Sequence, residues 1–274
     1  MAKTILITGA STGIGRATAH YFAQQKWNVA ATMRQPEQHQ DLLQHPNVKT
    51  YALDVTDPDS IHHAIEQAIS DFGTIDVVLN NAGYGALGIF EATTPEQMHR
   101  QFDTNVFGTM RVIQQILPHF RNNKNGTIIN VSSVAGRITF PAFSLYHGSK
   151  WAVEGFSESL HYELRHLGIK VRIIEPGAIK TDFYSRSMDF LIDDKLTEYE
   201  KYARAVRTMM ERAGGAGVAP DVVARTIYKA ANDRSHKLRY PVGFPAPVLI
   251  PLRKLLPESW FFHIVRAAME IGLK

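Results

Sequence analysis

Two side chains in the run YHGSK have the chemistry to exchange a proton near neutral pH: the phenol of Tyr146 and the ammonium of Lys150. Residues four apart on a helix stand one above the other, so both groups can address a common point. A cation beside a phenol favours phenolate and draws its pKa down from about 10, which makes Tyr146 a candidate general acid and base. A Tyr and a Lys at this spacing are also an ordinary surface pair, and their surroundings must separate the two readings.

A second chemical signal stands at the start of the chain. TGASTGIG, Thr8 to Gly15, follows directly on Thr4-Ile5-Leu6-Ile7. The apolar run suits a strand buried on both faces, while Ile14, Ala17, Thr18, Tyr21 and Phe22 recur at helical spacing. Strand, glycine turn and helix start together form an anion site: free N–H groups and the positive end of the helix dipole face a turn that no Cβ obstructs. The spacing G-x-x-x-G-x-G departs from the G-x-G-x-x-G dinucleotide fingerprint, so a merely glycine-rich turn stays open as the alternative.

Stepping outward, strand-like and helix-like stretches alternate, the pattern of crossover units on a parallel sheet. Strands are expected near 4–7, 28–32, 48–53, 75–79, 127–131, 170–174 and 238–240, with helices near 58–71, 95–120, 145–167 and 221–231. Residues 183–212 are charged and helical in pattern, AGGAGVAP breaks the chain, and PVGFPAPVLIPL precedes a final helical stretch. The fold class is therefore α/β: a single doubly wound parallel sheet over 1–274, with a substrate loop at 183–217 and a C-terminal extension at 241–274. That extension reads as a lid or packing surface in preference to a membrane-surface segment.

Composition narrows the function. The 274 residues are 45% hydrophobic and 20% charged, ordinary for a globular chain. There is no cysteine, hence no disulfide framework and no thiol nucleophile. A net charge of +4 without a dense Lys/Arg block argues against nucleic-acid binding. No apolar run is long enough to span a bilayer and no secretory signal opens the chain, so a cytoplasmic protein is expected. The histidines, His62, His63, His161 and His166 among them, have no matched partners, so no metal site is expected and they read as surface or satisfied core groups.

Ligands of parallel sheets collect where strands end. Met33-Arg34, Asp54-Val55, Asn80-Asn81-Ala82-Gly83, Ser132-Ser133 and Pro176-Gly177 occupy those ends. An acid after the second strand would take the ribose 2′-OH of NAD(H), whereas arginine suits the 2′-phosphate of NADP(H). Met33 stands in the acid's place with Arg34 next to it, which favours NADP(H) over NAD(H); Arg16 is a weaker candidate for the same phosphate.

TGASTGIG, NNAG, Asn105 in TNVFG, the serines of VSSVAG, YHGSK and PGAIKT occur in the order and approximate spacing of the short-chain dehydrogenase/reductase family. The chain resembles that family from Thr4 to about Thr181 and more loosely beyond, and looks most like its hydroxysteroid and retinol dehydrogenase branch. The resemblance implies a Rossmann-like fold and hydride transfer between nicotinamide and a carbonyl or secondary alcohol. Tyr146 matches the proton donor and acceptor, and Lys150 the residue that lowers its pKa and holds the nicotinamide ribose. Ser133 matches the serine that bonds the substrate oxygen, thirteen residues before the tyrosine, which leaves Ser132 to the backbone. Asn105 matches the asparagine whose main chain holds a water linked to the lysine. Gly9, Ser11, Thr12, Gly13, Ile14 and Gly15 fall at the pyrophosphate, Asp54 and Val55 at the adenine, and Asn81, Ala82 and Gly83 in the cofactor cleft. Pro176, Gly177, Ile179 and Thr181 fall where the nicotinamide carboxamide is held.

One departure is His147-Gly148, where the family usually has small residues; the histidine reads as a surface group. Phe140, Phe143, Tyr184 and the 183–212 region are expected to wall an apolar pocket for a lipophilic ketone, steroid or retinoid-like alcohol. A 3-oxoacyl-thioester reductase and a non-catalytic dinucleotide-binding regulator are the rival functions. The resemblance also implies a homodimer or homotetramer, formed through the helices after the fourth and fifth strands.

Overall fold

The computed structural model describes residues 2–270 apart from 182, 184–186, 194, 206, 207 and 209–216. Seven parallel strands form the main sheet in the order β3-β2-β1-β4-β6-β7-β9. They span β1 Thr4–Thr8, β2 Asn28–Met33, β3 Val48–Ala52, β4 Val77–Asn80, β6 Gly126–Val131, β7 Ile169–Pro176 and β9 Arg239–Val242. A second, two-stranded parallel sheet joins β5 Gly85–Gly88 to β8 Met188–Leu191.

The main sheet is buried on both faces because successive side chains alternate between two helix layers. Ile5, Ile7, Val29, Ala31, Val77 and Leu79 face one core, packed with Phe22 of α1 (Gly13–Gln24) and Ile227 of α6 (Pro220–Asn232). Leu6, Ala30, Val78, Ile128 and Val171 face the other. There they meet Ile61 of α2 (Pro58–Phe72), Ile116 of α4 (Gly108–Asn122) and Leu164 of α5 (Ser144–Leu164). The topology reverses between β1 and β4, which opens a crevice at the carboxyl ends of these two strands.

Four expectations need correction. The single helix expected near 95–120 is α3 Pro95–Phe102 and α4, joined by a π-helical turn at Asp103–Phe107. Within 183–212, Met188–Leu191 is strand β8 where helix was expected, because its backbone pairs with β5. The extension at 246–255 is helix α7 (Ala246–Leu255) despite its prolines. Pro247 occupies the first turn, where an N–H has no intrahelical partner to lose. Finally, Arg165–Leu167 leaves α5 as a tighter 3₁₀ turn. Helix α8 (Glu258–Glu270) follows, and Phe261 from it joins Ile250 of α7 against Val134 and Ile138.

Candidate active site

A cleft of about 840 Å³ follows the crevice from Arg34 at one end to Phe140, Phe143, Phe183 and Met188 at the other. Gly9 and Gly13 line it in left-handed backbone, φ 67° and 55°, a conformation that side chains make costly. A Cβ on Gly9 would stand 2.9 Å from the Ala82 Cα, so the turn passes directly beneath the end of β4. Thr12 leads into α1 without capping it by its side chain, and no acidic residue occupies the first helical turn. The helix start therefore keeps its N–H groups and positive dipole end available to an anion.

Gly15 differs from its two neighbours. It does not line the cleft; a Cβ there would meet the Gly9 carbonyl oxygen at 2.3 Å, so this glycine lets α1 lie close to the turn. Asn81 braces the same turn. Its Nδ2 donates to the carbonyls of Thr8 and Gly9, both at 3.0 Å. The Thr8 hydroxyl in turn accepts from the backbone N–H of Asn81 and Ala82. Thr8, the first residue of the matched motif and the last of β1, thus has a bracing role that the motif alone did not assign.

Arg34 is exposed at the rim of the cleft. Arg16 is paired with Asp41 at 2.5 Å and does not line the cleft. Asp54 and Val55 line the same end, with the Asp54 carboxylate accepting from the Thr56 amide and hydroxyl. Ser11, Thr12, Ile14, Asn81, Ala82, Gly83, Pro176, Gly177, Ile179 and Thr181 complete the walls between the two ends. Ala178 accepts from the Val218 N–H and Lys180 donates to the Val218 carbonyl, so the peptide groups of Ile179 face away from Val218.

At the middle of the cleft Tyr146 and Lys150 meet as their spacing requires. The Lys150 ammonium lies 5.7 Å from the centre of the Tyr146 ring and donates to the Val131 carbonyl at 2.9 Å. Both side chains are buried. Burial pushes the Lys150 pKa down to about 8, against the pull of Glu154 one turn along the helix. Near pH 7 the group still carries its charge, held beside the phenol.

Ser133 closes β6 and faces the cleft, its oxygen accepting from the Ala135 N–H at 3.1 Å. One lone pair is spent in this way, which leaves the hydroxyl hydrogen to be donated to a ligand. Ser132 departs from its expected backbone role: its hydroxyl is buried without a partner among the described residues. Asn105 lies behind the wall in the π turn, not in it. Its amide accepts from the Tyr84 N–H at 3.1 Å and donates to the Tyr84 carbonyl at 2.9 Å, fixing the chain that carries Gly83.

His147 is the clearest correction. It is buried, not superficial, with Nδ1 2.7 Å from the Ala135 carbonyl and Nε2 2.8 Å from the Phe140 nitrogen. The segment 134–143 folds over this side of α5 and covers it, a long-range contact invisible to helical periodicity. Phe140 and Phe143 line the cleft as expected, whereas Tyr184 lies outside the described residues. Phe183 and Met188 add to the apolar end, and an Arg100–Asp189 ion pair joins α3 to β8 at its rim.

The cleft suits a dinucleotide: a cradle of left-handed glycines with an uncapped helix start at the centre, a cation at one end and an apolar chamber at the other. The model of the short chain dehydrogenase family matches residues 3–190. An uncharacterised oxidoreductase of Schizosaccharomyces pombe is 40% identical over 239 residues, 87% of this chain and 100% of its own. A 3-ketodihydrosphingosine reductase of Bacteroides thetaiotaomicron is 34% identical, over 96% of this chain and 97% of its own. Among solved structures, ElxO with NADP bound superposes with a TM-score of 0.71 at 28% identity, covering 88% of this chain and 98% of that one. A protein from Burkholderia phymatum in complex with NAD shares the fold at a TM-score of 0.82 and 23% identity, covering 96% and 95%.

Proposed function

The chain belongs to the short-chain dehydrogenase family, and we propose that it interconverts a lipophilic ketone and its secondary alcohol with NADP(H) in preference to NAD(H). The observation that carries this reading is the buried Tyr146–Lys150 pair, set in one cleft between the glycine turn and an aromatic chamber. The dinucleotide, when bound, supplies or accepts the hydride.

This chain's own residues do the rest. Gly9, Gly13 and the start of α1 hold the pyrophosphate, Arg34 pairs with the 2′-phosphate, and the outward peptide groups of Ile179 fit a carboxamide. Ser133 donates a hydrogen bond to the substrate oxygen, whose charge grows in the transition state. Tyr146 gives that oxygen a proton in the reducing direction and takes it back in the oxidising one. Lys150 favours the phenolate between these steps. Phe140, Phe143, Phe183 and Met188 exclude water from the reacting end and give the substrate an apolar contact surface.

The related 3-ketodihydrosphingosine reductase acts, by its name, on a ketone, which supports the carbonyl side of the reaction. The protein assembles through α4 and α5, where Phe107, the last residue of the π turn that leads into α4, and Trp151 and Tyr162 on α5, are exposed. Nicotinamide absorbance, followed with NADPH and with NADH across a panel of ketones, tests the proposal. Consumption of NADPH with apolar ketones is expected; a protein that binds either dinucleotide yet turns over no ketone or secondary alcohol would overturn it.

A further inference from the structure

The imidazole of His147 sits where no proton transfer of the reaction above requires a group, yet both its nitrogens are engaged in a buried position. A carbonyl can only accept and an amide N–H can only donate, so the neighbours dictate the tautomer. Nδ1 carries the hydrogen given to Ala135, and Nε2 is bare toward Phe140. One side chain of α5 therefore closes the loop between two residues five apart on the opposite wall.

Each end of this bridge leads to the reacting site. Ala135 is held by His147 through its carbonyl and itself holds the Ser133 oxygen through its N–H, so the two flanking peptide groups are both fixed. At the other end, Phe140 is shared between the chamber around Tyr146 and the cluster formed with α7 and α8. Phe140 and His147 also line both the cleft and a second apolar recess of about 590 Å³, bordered by Pro141, Ala142 and Trp151. They are the partition between these two spaces. The wall they hold is strained: Ala142 lies in the left-handed region at φ 63°, where a non-glycine residue is disfavoured.

We propose that His147 is a positioning and specificity residue: in its neutral form it latches the 135–143 wall onto the helix of Tyr146, aiming Ser133 and keeping Phe140 as a partition that admits compact ketones over extended ones. Released, Phe140 would open the cleft into the outer recess and admit a long alkyl substituent. This inference rests on the ketone-reductase reading for its substrate consequence, but not for the latch itself.

Protonation works against the latch. It places a hydrogen on Nε2 against the Phe140 N–H, donor facing donor. The groups around the ring are few: from the facing wall, the Ala135 and Phe140 peptides and the rings of Phe140 and Phe143; from its own helix, the Tyr146 ring and Lys150, which is bonded to Val131. Arg137, also on that wall, pairs with Glu175 and Glu154. Burial holds the His147 pKa below its usual 6.5, so the latch survives mild acidification and yields below it.

Amide hydrogen exchange of the full-length protein, resolved to Phe140, tests the latch without any need for turnover. His147→Ala should lower the protection of the Phe140 amide about tenfold or more, the effect of losing one buried hydrogen bond. His147→Asn, which can still donate to Ala135 but cannot reach Phe140, should lose the same protection. The wild-type protection factor should hold through pH 6.5, the ordinary imidazole value, and fall only as pH is taken well below it. Equal protection of Phe140 in wild type and both variants, or protection unmoved by acid, would overturn the latch; the pH series stands even if a variant fails to fold. For the substrate consequence, kcat/KM for a long-chain ketone relative to cyclohexanone should rise about tenfold in His147→Ala and in Phe140→Ala. An unchanged ratio would overturn the partition. If wild type reduced no ketone, the redox reading and the gate would fall together, while exchange at Phe140 would still decide the latch.

Discussion

A buried ammonium is an expensive device, and Lys150 shows both its cost and its use. Its pKa is lowered from 10.5 to about 8 by burial. A lysine lowered in this way contributes stability that is present above its unfolded value and is lost as pH falls through its folded value. Replacing it by Met should therefore abolish turnover yet raise stability at pH 7 by on the order of 2 kcal/mol, an advantage that closes as pH is raised from about 8 toward 10.5. Denaturant melts at these pH values check the sign. Arg34 stands exposed at the rim, and the proposed function pairs it with a ligand phosphate. Arg34→Ser should weaken NADPH binding by about tenfold to a hundredfold while moving NADH little; equal losses in titrations of the two would refute the proposed cofactor preference. At this scale the sequence was legible for groups tied to a turn or a helix repeat, such as Gly9, Tyr146 and Lys150. It misplaced His147 on the surface, because its partners Ala135 and Phe140 belong to a different segment.

Elements became legible where each strand lies between two helix layers. Ile5-Leu6-Ile7 and Ile128-Ile129 read as strands because both alternating faces are apolar. The β5–β8 pair was hidden, since GALG carries almost no side-chain pattern and its partner MDFL lies among charged residues. The π turn at Asp103–Phe107 carries Asn105, whose amide oxygen accepts from the Tyr84 N–H. The glycine turn separates two roles that one motif had merged: Gly9 and Gly13 line the cleft, whereas Gly15 lets the elements approach. Gly15→Ala would force its Cβ onto the Gly9 carbonyl. A loss of about 1–3 kcal/mol is expected in thermal or denaturant melts even without ligand. A variant as stable as wild type that merely bound dinucleotide less well would return Gly15 to the ligand.

Across the whole molecule, one buried charge cluster ties the sheet to the site. Glu175 of β7 and Glu154 of α5 lie with Arg137 and with Arg239 of β9, Arg239 Nε standing 2.9 Å from Glu154 and 3.5 Å from Glu175. Burial, reinforced by Glu154, pushes the Glu175 pKa up from 4.5 to about 7. The stability linked to a raised carboxyl is fully present below its unfolded value and is lost as pH rises through its folded one. Glu175 should therefore contribute a loss of stability between about pH 4.5 and pH 7, on the order of 2 kcal/mol, which the difference between the pH–stability curves of wild type and Glu175→Gln isolates. Parallel pH–stability curves for the two proteins would deny Glu175 this part. The molecule also spends its sheet on a single purpose: the ends of β1, β4, β6 and β7 bring the glycine turn, Asn81, Ser133 and Gly177 to one cleft. Tyr146→Phe removes one oxygen from that assembly and leaves its packing in place. Single-turnover reduction of an apolar ketone by the NADPH-loaded variant is the most direct trial: turnover should fall at least about a hundredfold, with the dissociation constant for NADPH unchanged. A variant that keeps a tenth or more of the wild-type rate would contradict the role given to the phenol.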